Sequence, residues 1–243
     1  MEQIETRGAE SRHRGDPAGE GAAREPLTRD RIIRAALRLM DDEGLDALSM
    51  RRVGREVGVE AMSLYNHVAD KDDMLEGVKE LVMSEFEFGE RTGDWEEDAR
   101  RAARAWRSIM RAHPNVITLM TEGSKPMVSV DALRPSEVAF DVLHRAGLDD
   151  AETAKAFCAF GGYIMGFVLM EVGALMNVEA AERAELARAL PADLLPRSCA
   201  VLPHLLSSDV DERFEYGLDL LLAGLRARVD RRPPGDGREA SDR

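Results

Sequence analysis

SMRRVGREVGVEAMSLYNHVADK, residues 49–71, holds two short runs of apolar periodicity separated by Gly58. Two helices that cross at a tight turn need a small residue at the crossing, a glycine in the turn and apolar side chains that lock their angle. Gly54, Gly58, and Val53, Val57, Val59 and Leu64 supply these in order. Gly54 sacrifices about 1 kcal/mol of helix propensity relative to alanine, which is acceptable where close approach is required. Ser49 suits the cap of the first helix, with Leu48 and Val53 as its staple pair. The second helix, expected over Glu60–His67, is thereby aimed outward, in the geometry that enters a DNA major groove.

Helix signals continue on both sides of this stretch, and strand alternation is absent. Thr28 is placed to cap a helix whose Ile32, Ile33, Ala36, Leu37 and Met40 share one face, with Leu27 as staple and Gly44 as stop. Asp70, with Asp73 three residues on, starts a fourth helix carrying Met74, Leu75, Val78, Leu81, Val82 and Phe86. Gly93-Asp94 opens a fifth that closes at His113-Pro114. A short piece follows at Asn115–Met120, then a loop to Val130. Pro135 suits the first position of another helix and Gly147 its C-terminal stop. Asp149 and Glu152 start a long apolar helix to about Met176; Glu179–Leu190 is a modest helix, and Pro191–Ser208, with its prolines, reads as a loop. Asp209 and Glu212 start a last helix to about Val229. The expectation is an all-α chain of about ten helices.

Composition narrows the function classes. The chain has 243 residues, 44% of them apolar, enough for a small module beside a larger one with a buried core. Cys158 and Cys199 lie outside any CxxC spacing, so neither a disulfide framework nor a zinc site is indicated, and a reducing cytoplasm fits. Residues 1–26 and 231–243 mix charge with glycine and read as disordered tails; the first has no apolar segment of a signal peptide. Arg7, Arg12, Arg14 and Arg24 are outnumbered there by acidic residues, which weakens the case for a minor-groove arm. The uncharged run Ala156–Met170 is short of the roughly 20 residues a membrane span needs. It is expected to be a buried core helix, and no membrane partner is indicated. No GxSxG, HExxH, P-loop or Rossmann pattern occurs, so no enzyme, catalytic residue, metal or cofactor is expected. A net charge of −13 constrains the average and not the local patch, and Arg51, Arg52, Arg55 and Lys71 can still meet a phosphate backbone.

Residues Leu27 to about Phe86 resemble the DNA-binding domain of the tetracycline-repressor (TetR) family. The resemblance rests on Gly58-Val59-Glu60 and on a recognition helix that ends in Tyr65-Asn66-His67, followed by Lys71 at the start of the next helix. It implies a DNA-binding role for Ser49, Arg51, Ala61, Met62, Ser63, Tyr65, Asn66, His67 and Lys71. Ser49 would offer its hydroxyl and backbone N–H groups to a phosphate, and Arg51 a two-pronged contact to guanine or a phosphate. Ala61, Met62 and Ser63 open the recognition helix toward base edges; Tyr65, His67 and Lys71 resemble backbone clamps; Asn66 reads adenine or holds a phosphate. Tyr65 and His67 have a plainer alternative as packing of the small domain, and Arg52 and Arg55 as a solvated face.

Trp106–Asn115, Gly147-Leu148 and Phe160–Phe167 resemble the C-terminal domain of the tetracycline repressor's own subclass. The implied organisation is a 27–88 DNA-binding domain with its connecting helix and a 94–229 ligand-binding and dimerisation domain, flanked by the tails. Helices near 150–176 and 209–229 would form a homodimer interface. Gly162 and Gly166 there form a GxxxG spacing that fits close packing of soluble helices, and Leu218, Leu221, Leu222 and Leu225 an apolar stripe. Trp106, Met110, His113, Met120, Phe140, Phe157, Phe160, Tyr163 and Met170 are candidate pocket residues, with ordinary core as the alternative for the apolar ones and helix-end capping for His113. That subclass holds its drug through magnesium on a histidine; Asn115–Pro126 contains none, which argues against tetracycline itself. The expected function is a cytoplasmic transcription regulator, most simply a homodimeric repressor that leaves operator DNA when a small molecule binds. The rival is a helical interaction protein whose helix-turn-helix no longer binds DNA.

Overall fold

The computed structural model describes residues 26–121, 129–173, 185, 188–207 and 209–231. Both expected tails, apart from their inner ends, and most of the expected Glu179–Leu190 helix lie outside the described residues. Ten α-helices and one 3₁₀ turn, with no strand, occur among the described residues.

α1 (Arg29–Glu43) starts where Thr28 Oγ1 accepts the Arg31 N–H at 3.2 Å, and it stops at Gly44 with φ 86°. After the 3₁₀ turn Leu45–Ala47, Ser49 caps α2 (Met50–Val57), which ends on Gly58 in the left-handed conformation. α3 (Ala61–Leu64) leads by a turn to α4 (Lys71–Ser84), capped by Asp70. Asp94 caps α5 (Trp95–Ala112), and α6 (Pro114–Thr121) follows directly after His113. α7 (Val130–Arg145), α8 (Asp150–Val172), α9 (Pro196–Ser207) and α10 (Val210–Val229) complete the chain. α1 to α4 pack around Ile32, Met40, Val53, Leu64, Met74 and Val78. The same apolar core runs on without a break through Met110, Ile117 and Val168 to Phe214 and Leu222. α4 therefore belongs to both halves.

Four expectations fail on identifiable physics. Ser129 caps α7, so this helix starts at Val130 and Pro135 lies inside it instead of at its first position. Pro191–Ser208 is not all loop: Pro196 is the first residue of α9, a position where its missing N–H has no helical partner to lose, and Pro203 is accommodated within the helix. The helix expected over Glu60–His67 is α-helical only through Leu64. There the chain turns, His67 N–H donating to Leu64 O at 2.9 Å, so that Val68 folds back to 2% exposure.

The fourth concerns α8, which is not the buried core helix expected. It is 23 residues long, and only 22% of its most apolar window is buried. Ile164, Phe167 and Val168 face inward, while Leu169 and Met170 face out. A Cβ on Gly161, Gly162 or Gly166 would meet nothing within 4 Å, so among the described residues the GxxxG spacing does not pack against another helix. α10 divides in the same way: Phe214, Leu218, Leu222 and Leu225 are buried, whereas Tyr216 and Leu220 are 68% and 60% exposed.

Candidate nucleic-acid interface and core cavity

Gly54 sets the angle between α2 and α3. A Cβ there would lie 3.0 Å from Val59 O and 3.2 Å from Ala61 N, so even a methyl group would push the two backbones apart by a few tenths of an ångström. Val53, Val57 and Leu64 lock the crossing from within, all three buried. Ser49 Oγ accepts the Arg52 N–H at 3.2 Å, and the residue is exposed. Arg51 and Arg55 are exposed and form no ion pair among the described residues, whereas Arg52 is held by Glu43. Met62 is 75% exposed and Tyr65 47%. Asn66 and His67 are exposed, and Ala61, Ser63 and Lys71 are half-buried. Neither Tyr65 nor His67 packs the interior; Leu64 and Val68 do.

All nine residues expected to meet DNA thus sit at the cap and in the body of α2, on α3 with its following turn, and at the first position of α4. This surface combines unpaired guanidinium groups, an amide, hydroxyls and an exposed thioether. Such a set can contact phosphates, base edges and thymine methyl groups. An exposed Met62 at the front of the helix has no folding role on a free surface. Two bonds from the Arg29 guanidinium to the Asp73 carboxylate, at 2.7 and 2.9 Å, fix the start of α1 to the first turn of α4. Midway, a Cβ on Gly77 would meet Ile33 Cδ1 at 2.5 Å, so α1 and α4 are in direct contact.

A cavity of about 450 Å³ lies between α4, α5, α6, α7 and α8. Trp106, Met120, Phe157 and Phe160 line it as expected, joined by Met83, Phe86, Ser136 and Met165. The Phe86 and Trp106 rings meet edge to face at 6.2 Å between centroids. Five expected pocket residues lie elsewhere, each with a different task. Met110 is fully buried in the core. Phe140 packs edge to face on Phe157, behind the wall. Tyr163 donates to Phe214 O at 2.6 Å, stacks on the Phe214 ring and fills the space that a side chain at Gly217 would take. Met170 is on the open face of α8. His113 stands between Asp41 and Glu85. Burial pushes the Asp41 carboxyl up from its ordinary range, against the opposing pull of His113.

Arg107 is a structural residue that the sequence does not single out. It is 8% exposed, its guanidinium 4.5 Å from the centroid of Phe214 and 5.3 Å from that of Phe167. It pairs with Glu171 at 3.0 Å and with Asp211 at 2.8 Å, tying α5 to α8 and α10. Desolvation works against this charge, but the bonds to Glu171 and Asp211 raise its pKa all the same. Its signal is faint: an arginine on the apolar face of an amphipathic helix, with the paired acids distant in sequence.

Residues 89–229 match the family model described as the tetracyclin repressor-like C-terminal domain, and residues 32–78 match that of bacterial regulatory proteins of the tetR family. A transcriptional regulator of the helix-turn-helix type from Saccharopolyspora erythraea is 31% identical over 87% of this chain and 89% of its own length. The repressor DrrR1 of Streptomyces coeruleorubidus is 31% identical over 85% of this chain and 80% of its own. Among solved structures, ActR of Streptomyces coelicolor in complex with actinorhodin superposes with a TM-score of 0.72 at 30% identity. That match covers 84% of this chain and 99% of ActR.

Proposed function

The chain belongs to the tetracycline-repressor family of DNA-binding transcription regulators, and on that premise we propose that it is a homodimeric repressor released from its operator by a small molecule held in the core cavity. The surface from Ser49 to Lys71 reads one half-site. The open faces of α8 and α10 meet their copies to place two such surfaces about 34 Å apart, one DNA turn. The observation that carries the DNA-reading assignment is the Gly54 crossing, which holds α3 and its unpaired neighbours outward.

The lining of the cavity supports an effector of a particular class. Among its described residues there is no Asp, Glu, Lys, Arg or His, and Ser136 and Cys158 are the polar side chains beside the Trp106 indole. A charged molecule entering it would lose its hydration with nothing to replace it. Four aromatic side chains and three methionines favour an uncharged, flat ring system. Met83 and Phe86 belong to α4 and its exit, so an occupant presses on the element that α1 rests on. Coupling of about 1–3 kcal/mol between the two sites suffices for a 5- to 150-fold change in operator affinity.

Selection of bound fragments from the source genome tests this reading. A retained fragment with two half-sites, whose affinity falls steeply with salt, is expected. Uncharged 9,10-anthraquinone, used as a probe of the cavity, should lower that affinity while anthraquinone-2-sulfonate leaves it unchanged. Absence of any retained fragment at low salt would favour a helical interaction protein instead.

A further inference from the structure

On the reading that α1 to α4 form the DNA-reading head, we infer that His113 is the positioning residue that fixes this head on the core. Its ring lies at the corner between α5 and α6. Nδ1 is 2.8 Å from Asp41 Oδ2 in the last turn of α1, and Nε2 is 3.1 Å from Glu85 Oε2 at the end of α4. Each ring nitrogen thus faces a carboxylate oxygen at hydrogen-bond distance, one from α1 and one from the end of α4. Asn115, two residues on, adds an Nδ2 bond to Met40 O at 2.8 Å.

Two features make this contact more than a helix-end cap. The other oxygen of Asp41 is buried with no hydrogen-bond partner, so the His113 bond is what compensates this carboxylate for its lost water. In addition, α1 and α4 are already joined at the opposite end by Arg29 and Asp73 and in the middle at Gly77. They form one rigid pair, and the His113 corner is a point where the core grips both members at once. Glu85 stands between Met83 and Phe86, both of which line the cavity. Whatever fills the cavity therefore bears on the two residues that flank the clasp.

The test uses the full-length protein without effector. A spin-label pair at Asp46→Cys, an exposed head position outside the DNA-contact set, and Glu137→Cys, in a Cys158→Ser, Cys199→Ser background and diluted with unlabelled protein, reads the distance from head to core within one chain. The parent should give one narrow distance. His113→Ala should broaden it or add a second population and weaken operator binding about tenfold, and His113→Gln, which keeps a donor at the corner, should restore most of both. Leu218→Val, a buried change in α10 that does not line the cavity, should lower the melting temperature without broadening the distance. Should His113→Ala not fold, Glu85→Ala gives the same readout from the more exposed side of the clasp. An unchanged distance distribution in His113→Ala or Glu85→Ala, or equal broadening in Leu218→Val, overturns the inference. Broadening in a protein that retains no DNA fragment upholds the role of His113 and rejects the DNA reading of the head.

Discussion

At the scale of single residues, the informative side chains are those whose environment contradicts their type. Arg107 is a buried cation with two aromatic faces and two acids around it. Removing it leaves Glu171, itself 10% exposed, as a buried charge with Arg111 as its remaining partner. Arg107→Ala is therefore expected to destabilise the fold by about 3–5 kcal/mol, measured by urea denaturation. A smaller loss in Arg107→Met would show that packing over the Phe167 and Phe214 rings carries part of the effect. Met62 and Tyr65 contradict their type in the opposite sense, being large and exposed. They are legible in the sequence because their position next to Gly58 is itself a motif. Arg107 and the clasp role of His113 are not, because their partners lie 64 and 72 residues away and no local pattern marks them.

At the scale of elements, caps and glycines are the reliable signs and prolines the misleading ones. Thr28, Ser49, Asp70, Asp94, Asp149 and Asp209 all accept from a backbone N–H at the start of the helix each is expected to open. Pro135 and the Pro191–Ser208 segment mislead, since a proline is compatible with a helix's first turn and, at some cost, with its interior. The long helix α8 is legible but its burial is not, because apolar content alone does not say which neighbour covers it. α8 and α10 leave Leu169, Met170, Tyr216 and Leu220 uncovered by the described residues of one chain. A second copy laid on these faces accounts for that pattern. Leu220→Arg puts a charge where the two copies would meet and is expected to shift sedimentation from dimer to monomer at micromolar concentration with the helical circular dichroism retained. An unchanged dimer would place the contact between copies on another surface.

At the scale of the whole molecule, the acidic average and the DNA-reading patch coexist because they occupy different places. The net charge of −13 discourages random association with duplex, while Arg51 and Arg55, which form no ion pair among the described residues, remain available to a docked one. Fold class and the identity of the head follow from the order of helices and the Ser49–Lys71 motif. The cavity does not, since its walls come from five helices, and alanines and methionines carry no sequence signature of lining a space. The continuous core from Ile32 to Leu222 gives a physical route from that cavity to the head, through α4 and the corner at His113. All of this presupposes that the side chains around Tyr65 read a duplex, and fluorescence anisotropy on a selected operator fragment puts that to the proof. The Arg51→Ala, Tyr65→Ala double variant, folded and with the parent's melting temperature, should bind about 100-fold more weakly, since each truncated side chain gives up about 1–3 kcal/mol of interaction with the DNA. Binding as tight as the parent's would mean that this surface does not read DNA.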